Sequence, residues 1–177
     1  MPAVFGHNDE ATVKRLKGPL KLTPRYQAFL VAADPLDVET VTPSERIHFV
    51  PAKGLVAEQP APEGDGERAA PPGWKKSWVV IAHSALLGDP YFLDTSRPDA
   101  EGDCPVMTAM SGTDALRPIL CASSFASFVR ILATAMEVAA DFAAGNFDEE
   151  DDAIFREAMS PKVKVIDAAA MRAGHWT

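Results

Sequence analysis

The sequence predicts an α+β domain, with a mostly antiparallel central sheet of about four to six strands packed against helices. Three observations predict it. Short β-rich runs follow one another closely from Arg46 to Cys121, separated by turn residues, as in an antiparallel meander. At Ser123 the apolar period changes to that of an amphipathic helix. The 177 residues, 47% of them hydrophobic, suffice for one domain with a sizeable core.

Residues 1–21 read as an irregular polar arm carrying the basic cluster Lys14, Arg15, Lys17 and Lys21; the domain proper spans 22–145, and 146–177 is its helical extension. Thr23 caps a first helix and Pro24 takes its first position, where a missing N–H costs nothing. Tyr26, Phe29, Leu30 and Ala33 share a face of that helix, and Asp34-Pro35 stops it. Arg46–Val50 reads as a short strand. Residues 58–73 contain Pro60, Pro62, Gly64, Gly66, Pro71, Pro72 and Gly73 and almost no bulky apolar residue, which predicts a loop, either mobile or a functional insertion.

Trp74–Ala82 is the strongest strand signal, and the unbroken run Trp78, Val79, Val80, Ile81 predicts burial on both faces. Gly88-Asp89-Pro90 turns the chain into a partner strand at Tyr91-Phe92-Leu93. Pro105–Met110 and Arg117–Cys121 follow as strands across a Ser111-Gly112-Thr113-Asp114 turn. Phe125, Phe128, Val129, Leu132, Ala135, Met136, Ala139 and Phe142 then define a helix of about five turns. Ser123 or Ser124 caps it and Gly145-Asn146 closes it. The acidic run Asp148–Asp152 suits the start of the next helix, which Ser160-Pro161 ends before a last short helix at Ala168–Arg172.

Twenty-five acids face 17 lysines and arginines, a formal net charge of −8. That balance argues against a nucleic-acid binder and against docking on anionic lipid, and suits a basic protein partner. No apolar run approaches the ~20 residues needed to span a bilayer, and the N-terminus lacks the hydrophobic region of a secretory signal. Cys104 and Cys121 are too few for a disulfide framework. The expectation is a cytoplasmic protein with reduced thiols, without a cofactor or metal, and monomeric or weakly dimeric.

Several segments resemble the SUKH superfamily, which includes a fungal regulator of cell-wall synthesis (the Smi/Knr protein) and many bacterial immunity proteins. They are Leu22-Thr23-Pro24-Arg25-Tyr26, the strand carrying Trp78, Gly88-Asp89-Pro90-Tyr91-Phe92-Leu93-Asp94-Thr95-Ser96, Pro105-Val106, and Ser124-Phe125-Ala126-Ser127-Phe128-Val129. The resemblance covers roughly 22–140. Thr23 stands before Pro24 where the family commonly has Leu-Pro, and Ala32-Ala33-Asp34 stands where it often has an Asn-Gly turn. The resemblance implies an α+β fold and a non-catalytic role in binding a protein, in the bacterial branch a toxin domain.

Candidate partner-binding residues are Trp74, Asp89, Asp94, Asp148, Glu149, Glu150, Asp151 and Asp152. Tryptophan is enriched at binding hot spots, and the acids would meet a basic surface. The acids also have plain structural roles: Asp89 with Gly88 in a turn, Asp94 closing a strand, the acidic run at a helix start. An enzymatic alternative uses His83 with Asp89 or Asp94, and His48 and His83 could share a metal with those acids. No pair has ligand spacing, however, and there is no Cys-x2-Cys, Gly-x-Ser-x-Gly or phosphate-cradling glycine loop. Cys121 precedes the long helix, whose dipole would lower a thiol pKa. His7 and His175, near the ends, are expected to be exposed. A third reading is a self-associating scaffold with an apolar patch at Ile154, Phe155 and Met159.

Overall fold

The computed structural model describes residues 3–61, 69–110, 116–142 and 147–177. Its elements in chain order are β1 (Val4–Gly6), α1 (Glu10–Leu16), α2 (Pro24–Ala32), β2 (Asp34–Asp37), β3 (Glu39–Val41), β4 (Arg46–Phe49), a 3-10 turn (Ala52–Gly54), β5 (Trp78–Ser84), β6 (Pro90–Asp94), β7 (Val106–Ala109), β8 (Pro118–Ala122), α3 (Phe125–Ala139), α4 (Glu149–Ile166) and α5 (Ala168–Ala173). Strands β3 to β8 form one sheet in sequence order, every neighbouring pair antiparallel, and β1 pairs with β2 in a second, two-stranded sheet. The α+β architecture and the antiparallel meander are as the sequence predicts.

The sheet has two covered faces. On one, Val79, Ile81 and Ala82 of β5, Tyr91 and Leu93 of β6 and Val106 of β7 meet Tyr26 and Leu30 of α2, Phe125, Phe128 and Ile131 of α3, and Phe155 and Met159 of α4. On the other, Trp78, Val80, Phe92, Met107 and Ala109 form a smaller cluster with Trp74, Leu116 and Leu120 packed against it. Burial on both sides explains why β5 shows no polar–apolar alternation. A register shift between Val80 and Ala82 places both Ile81 and Ala82 in the larger core.

That irregularity needs a partner for the Val80 backbone, and Gln59 supplies it. Its Oε1 accepts the Val80 N–H at 2.8 Å, and its Nε2 donates to the Val80 and Leu55 carbonyls at 3.0 and 2.7 Å. One amide side chain thus continues the ladder beyond the end of β4.

Asp103 performs a similar service on the helical side. Its Oδ1 accepts the N–H groups of Cys104 and Phe125 at 2.7 and 2.9 Å, and its Oδ2 that of Ala126 at 3.0 Å. Ser124 takes the Ser127 N–H, so the start of α3 is satisfied by two side chains. Asp167 caps α5 through Ala169 and Ala170 and also accepts from the Ser123 N–H and hydroxyl, tying α5 to the end of β8.

The structure corrects four expectations. Within the expected arm the described residues 3–21 carry β1 and α1: Asp9 accepts the Thr12 N–H at 2.6 Å, and Val13 is buried. With a three-residue strand and one buried side chain per seven-residue helix, neither element leaves a readable period. The strand expected from Trp74 begins at Trp78, because Trp74 and Trp78 each donate a turn hydrogen bond, to Pro71 and Lys75. The helix from Ser123 is shorter than expected, ending at Ala139, although Phe142 still packs edge-on against Phe155.

Fourth, Pro161 lies inside α4. Proline removes one ladder hydrogen bond, but Met159 and Val163 on either side are fully buried, and that packing carries the helix through. The same burial removes the expected patch for self-association: Phe155 and Met159 are 2% and 0% exposed, leaving Ile154 alone outside. The Ser111–Asp114 turn, the Gly145-Asn146 helix end and residues 62–68 of the expected loop lie outside the described residues.

Gln59→Ala would leave the Val80 N–H without its partner in a half-buried setting. The expected loss is about 1–3 kcal/mol of unfolding free energy, read as a lower urea midpoint with unchanged slope. An unchanged midpoint would show that water replaces the amide.

Candidate functional site

The residues singled out in the sequence do not form one surface. Trp74 is half-buried on the smaller cluster, edge-on to Trp78 at 5.3 Å and 5.0 Å from Phe92. Much of its ring is therefore used within the fold. Asp148–Asp152 begin α4, whose buried face belongs to the opposite, larger core.

Asp94 is buried and fully engaged. Its Oδ1 accepts from the Ser96 hydroxyl at 2.6 Å and its Oδ2 from Arg97 Nε at 2.8 Å. Burial alone would raise its pKa, but the Ser96 and Arg97 hydrogen bonds together outweigh that and hold the carboxyl below the usual range. Gly88 has φ +75°, the turn conformation that favours glycine, and the Asp89 carbonyl accepts the Ser84 N–H at 2.8 Å.

His83 stands opposite Pro90, whereas Asp94 stands opposite Trp78 at the other end of the same strand pair. Four residues of strand separate the two positions, about 13 Å. His83 and Asp94 therefore do not converge, which corrects that pairing. His83 Nε2 instead lies 3.4 Å from Glu58 Oε2. His48 and His83 are direct cross-strand partners, which no local sequence pattern announces. Among the described residues, no three His, Cys, Asp or Glu side chains are placed to hold a metal ion.

Both cysteines are buried and unpaired. Burial pushes the Cys104 thiol up to about 12 and raises that of Cys121 as well, the reverse of the lowering expected from the helix dipole.

In the acidic run, Asp148 and Asp151 form a capping box: Asp148 accepts the Asp151 N–H at 2.9 Å, and Asp151 accepts that of Asp148 at 3.1 Å. Asp152 pairs with Arg156 at 2.9 Å. Glu149 and Glu150 are left facing solvent.

Two features were missed in the sequence. The first is a polar chain beneath the C-terminus. Ser84 Oγ donates to Glu45 Oε1 at 2.9 Å, the Tyr91 hydroxyl donates to Glu45 Oε2 at 3.2 Å, and His175 Nε2 lies 3.2 Å from that hydroxyl. Beside it, Trp176 is buried and donates to the Cys121 carbonyl at 2.7 Å. The C-terminal residues thus dock on the sheet, and His175 is half-buried where exposure was expected. Desolvation, with a smaller contribution from Arg156, pushes its pKa down to about 4.

The second is an apolar recess of about 250 Å3 at the β3 edge of the large sheet. Phe5 of β1, Phe29 of α2, Val38, Phe49 of β4 and Val129 and Met136 of α3 line it, with the edge residues Glu39 and Thr40 at its rim. Phe5 is 53% exposed and Met136 46%. Its lining draws on residues as far apart in sequence as Phe5 and Met136, so only the tertiary structure assembles it.

No family model, curated protein or solved structure matches this chain. The SUKH resemblance therefore rests on the residues that carry it.

The His175 environment predicts an acid-labile fold. The unfolded histidine takes up its proton near pH 6.5, the folded one only near pH 4, so the unfolded state binds more protons between those values. Stability is full above about pH 6.5 and falls as pH drops toward 4, by at most about 3 kcal/mol. Asp94 and Asp167, both held below the ordinary carboxylate range, carry the same sign at lower pH. Urea unfolding at pH 7 and pH 4.5 should show the drop, and His175→Phe should flatten it. A variant with the wild-type slope would place the protonation elsewhere.

Proposed function

We propose that this chain is a non-catalytic protein-binding domain, of the immunity or regulatory kind that the SUKH resemblance implies, and that its partner is a folded protein such as a toxin domain. The supporting observation is the apolar recess at the β3 edge, where Phe5, Val129 and Met136 remain exposed around a concave, almost wholly apolar floor. Exposed apolar surface gathered beside a sheet edge is the composition of an interaction site. A net charge of −8, with Glu149 and Glu150 facing solvent, favours a basic partner by long-range attraction. The distance between His83 and Asp94 leaves the enzymatic alternative only its pairing of His83 with Asp89, which adjoins Pro90 opposite His83.

The test is retention of one stoichiometric partner from lysate of the source cells by immobilised wild-type protein, Met136→Glu and the double variant Glu149→Lys, Glu150→Lys. Met136 is exposed, so its replacement should leave folding intact. The reading expects a wild-type partner lost on Met136→Glu, with the charge reversal mainly slowing association at low salt. Retention by none of the three proteins, or equally by all, would remove the recess as the binding surface.

A further inference from the structure

The recess lies beside the outer edge of β3, which pairs with no further strand among the described residues, and the two together define what fits. Residues 34–41 run as β2 and β3 with only Val38 between them. β1 lies along one edge of this stretch, with Gly6 opposite Asp34 and Val4 opposite Asp37. Beyond Asp37 the same edge continues along β3, which is terminal in the six-stranded sheet.

The register fixes which groups point outward. Thr42 donates to the Glu45 carbonyl at 3.0 Å and Phe49 to the Val38 carbonyl at 2.9 Å. Antiparallel hydrogen-bonded pairs alternate, so Thr40 and Ile47 bond each other, and the N–H and C=O groups of Glu39 and Val41 point away from β4.

The side chains divide by the same alternation. Val38 and Thr40 face the helices and are buried, next to the recess. Glu39 and Val41 face the other side, opposite His48 and Arg46. A strand laid against β3 would therefore send the residue beside Thr40 into the recess with Val129 and Met136, and the residue beside Glu39 toward that carboxylate. Asp37, also exposed, lies two residues away on the same face, so a basic side chain fits there. Arg46 beyond Val41 disfavours a second base at the next position on that face.

Resting on the partner-binding reading, we infer that the β3 edge beyond β1 takes up an extended segment of the partner as an added strand, with a lysine or arginine opposite Glu39 and an apolar residue next to it, beside Thr40, in the recess. A small apolar ligand would fill the recess but leave the Glu39 and Val41 backbone groups to water. An added strand satisfies both. The same open edge is otherwise an aggregation liability, which its exposed acids only partly blunt.

The probe is a fluorescein-labelled, end-blocked peptide containing Thr-Leu-Lys-Leu-Thr, a palindrome that reads identically in either strand direction, followed by anisotropy. Val41→Pro removes one outward N–H and leaves the bonds of Thr40 to β4 in place; Met136→Glu places a charge in the recess mouth. Circular dichroism confirms that both variants fold. Saturable binding is expected, weakened about tenfold or more by each variant, by replacing the peptide lysine with glutamate, and by permuting the peptide to Leu-Thr-Lys-Thr-Leu. Equal affinity for the permuted peptide, or for either variant, overturns the inference. So does light scattering that finds wild-type dimers converted to monomers by Val41→Pro, which assigns the edge to a second copy of this chain. A lysate partner retained by both variants would leave the partner-binding reading standing and remove only the strand mode; loss of both signals removes both.

Discussion

Burying β5 and β6 on both faces obliges the chain to supply two covers, and most of the remaining structure follows from that constraint. Trp78, Val80 and Phe92 on one side and Val79, Ile81, Tyr91 and Leu93 on the other cannot be left to water. The helices α2, α3 and α4 provide the larger cover, and Trp74 with Leu116 and Leu120 the smaller. Where the ladder is interrupted, polar side chains complete it. Gln59 serves Val80, Asp103 serves the start of α3, and Asp167 joins β8 to α5. These groups work as a set because each satisfies backbone that the packing has already removed from water.

The covers stop short at one edge. α3 reaches over β3 with Val129, Leu132 and Met136, and β1 closes the outer side only as far as Asp37. The recess is what remains between them. The C-terminus, by contrast, is drawn in, with Trp176 buried against the Cys121 carbonyl and His175 joined to Tyr91 and Glu45. The chain thus seals its C-terminal end with its own residues and leaves the β3 edge unsealed.

Much of the sheet was legible in the sequence. β5 to β8 and α3 have long apolar runs or a clear period, Ser124 caps α3 as expected, and the acidic run begins α4; Thr23 holds the N-cap position of α2, but its side chain makes no capping hydrogen bond. The strands β1, β2 and β3 were not, because three or four residues carry too little pattern to separate strand from loop, nor was α1, whose seven residues bury only Val13. Pro161 misled for a different reason: a local cost was outweighed by the burial of Met159 and Val163, which depends on tertiary packing. The candidate site was hardly legible. Trp74 and Asp94, attractive as exposed anchors, are largely committed to internal contacts, whereas the recess draws on Phe5, Phe49 and Met136, which only folding brings together.

The measurement that reaches the central claim most directly is residue-resolved amide hydrogen exchange of the chain, free and bound to its captured partner. The Thr40 amide, bonded to β4, should be protected in both states, whereas those of Glu39 and Val41 should exchange quickly in the free chain and slowly in the complex. New protection confined to Trp74 and its neighbours, or to Glu149 and Glu150, with Glu39 and Val41 unchanged, would contradict the account and move the binding surface to that place.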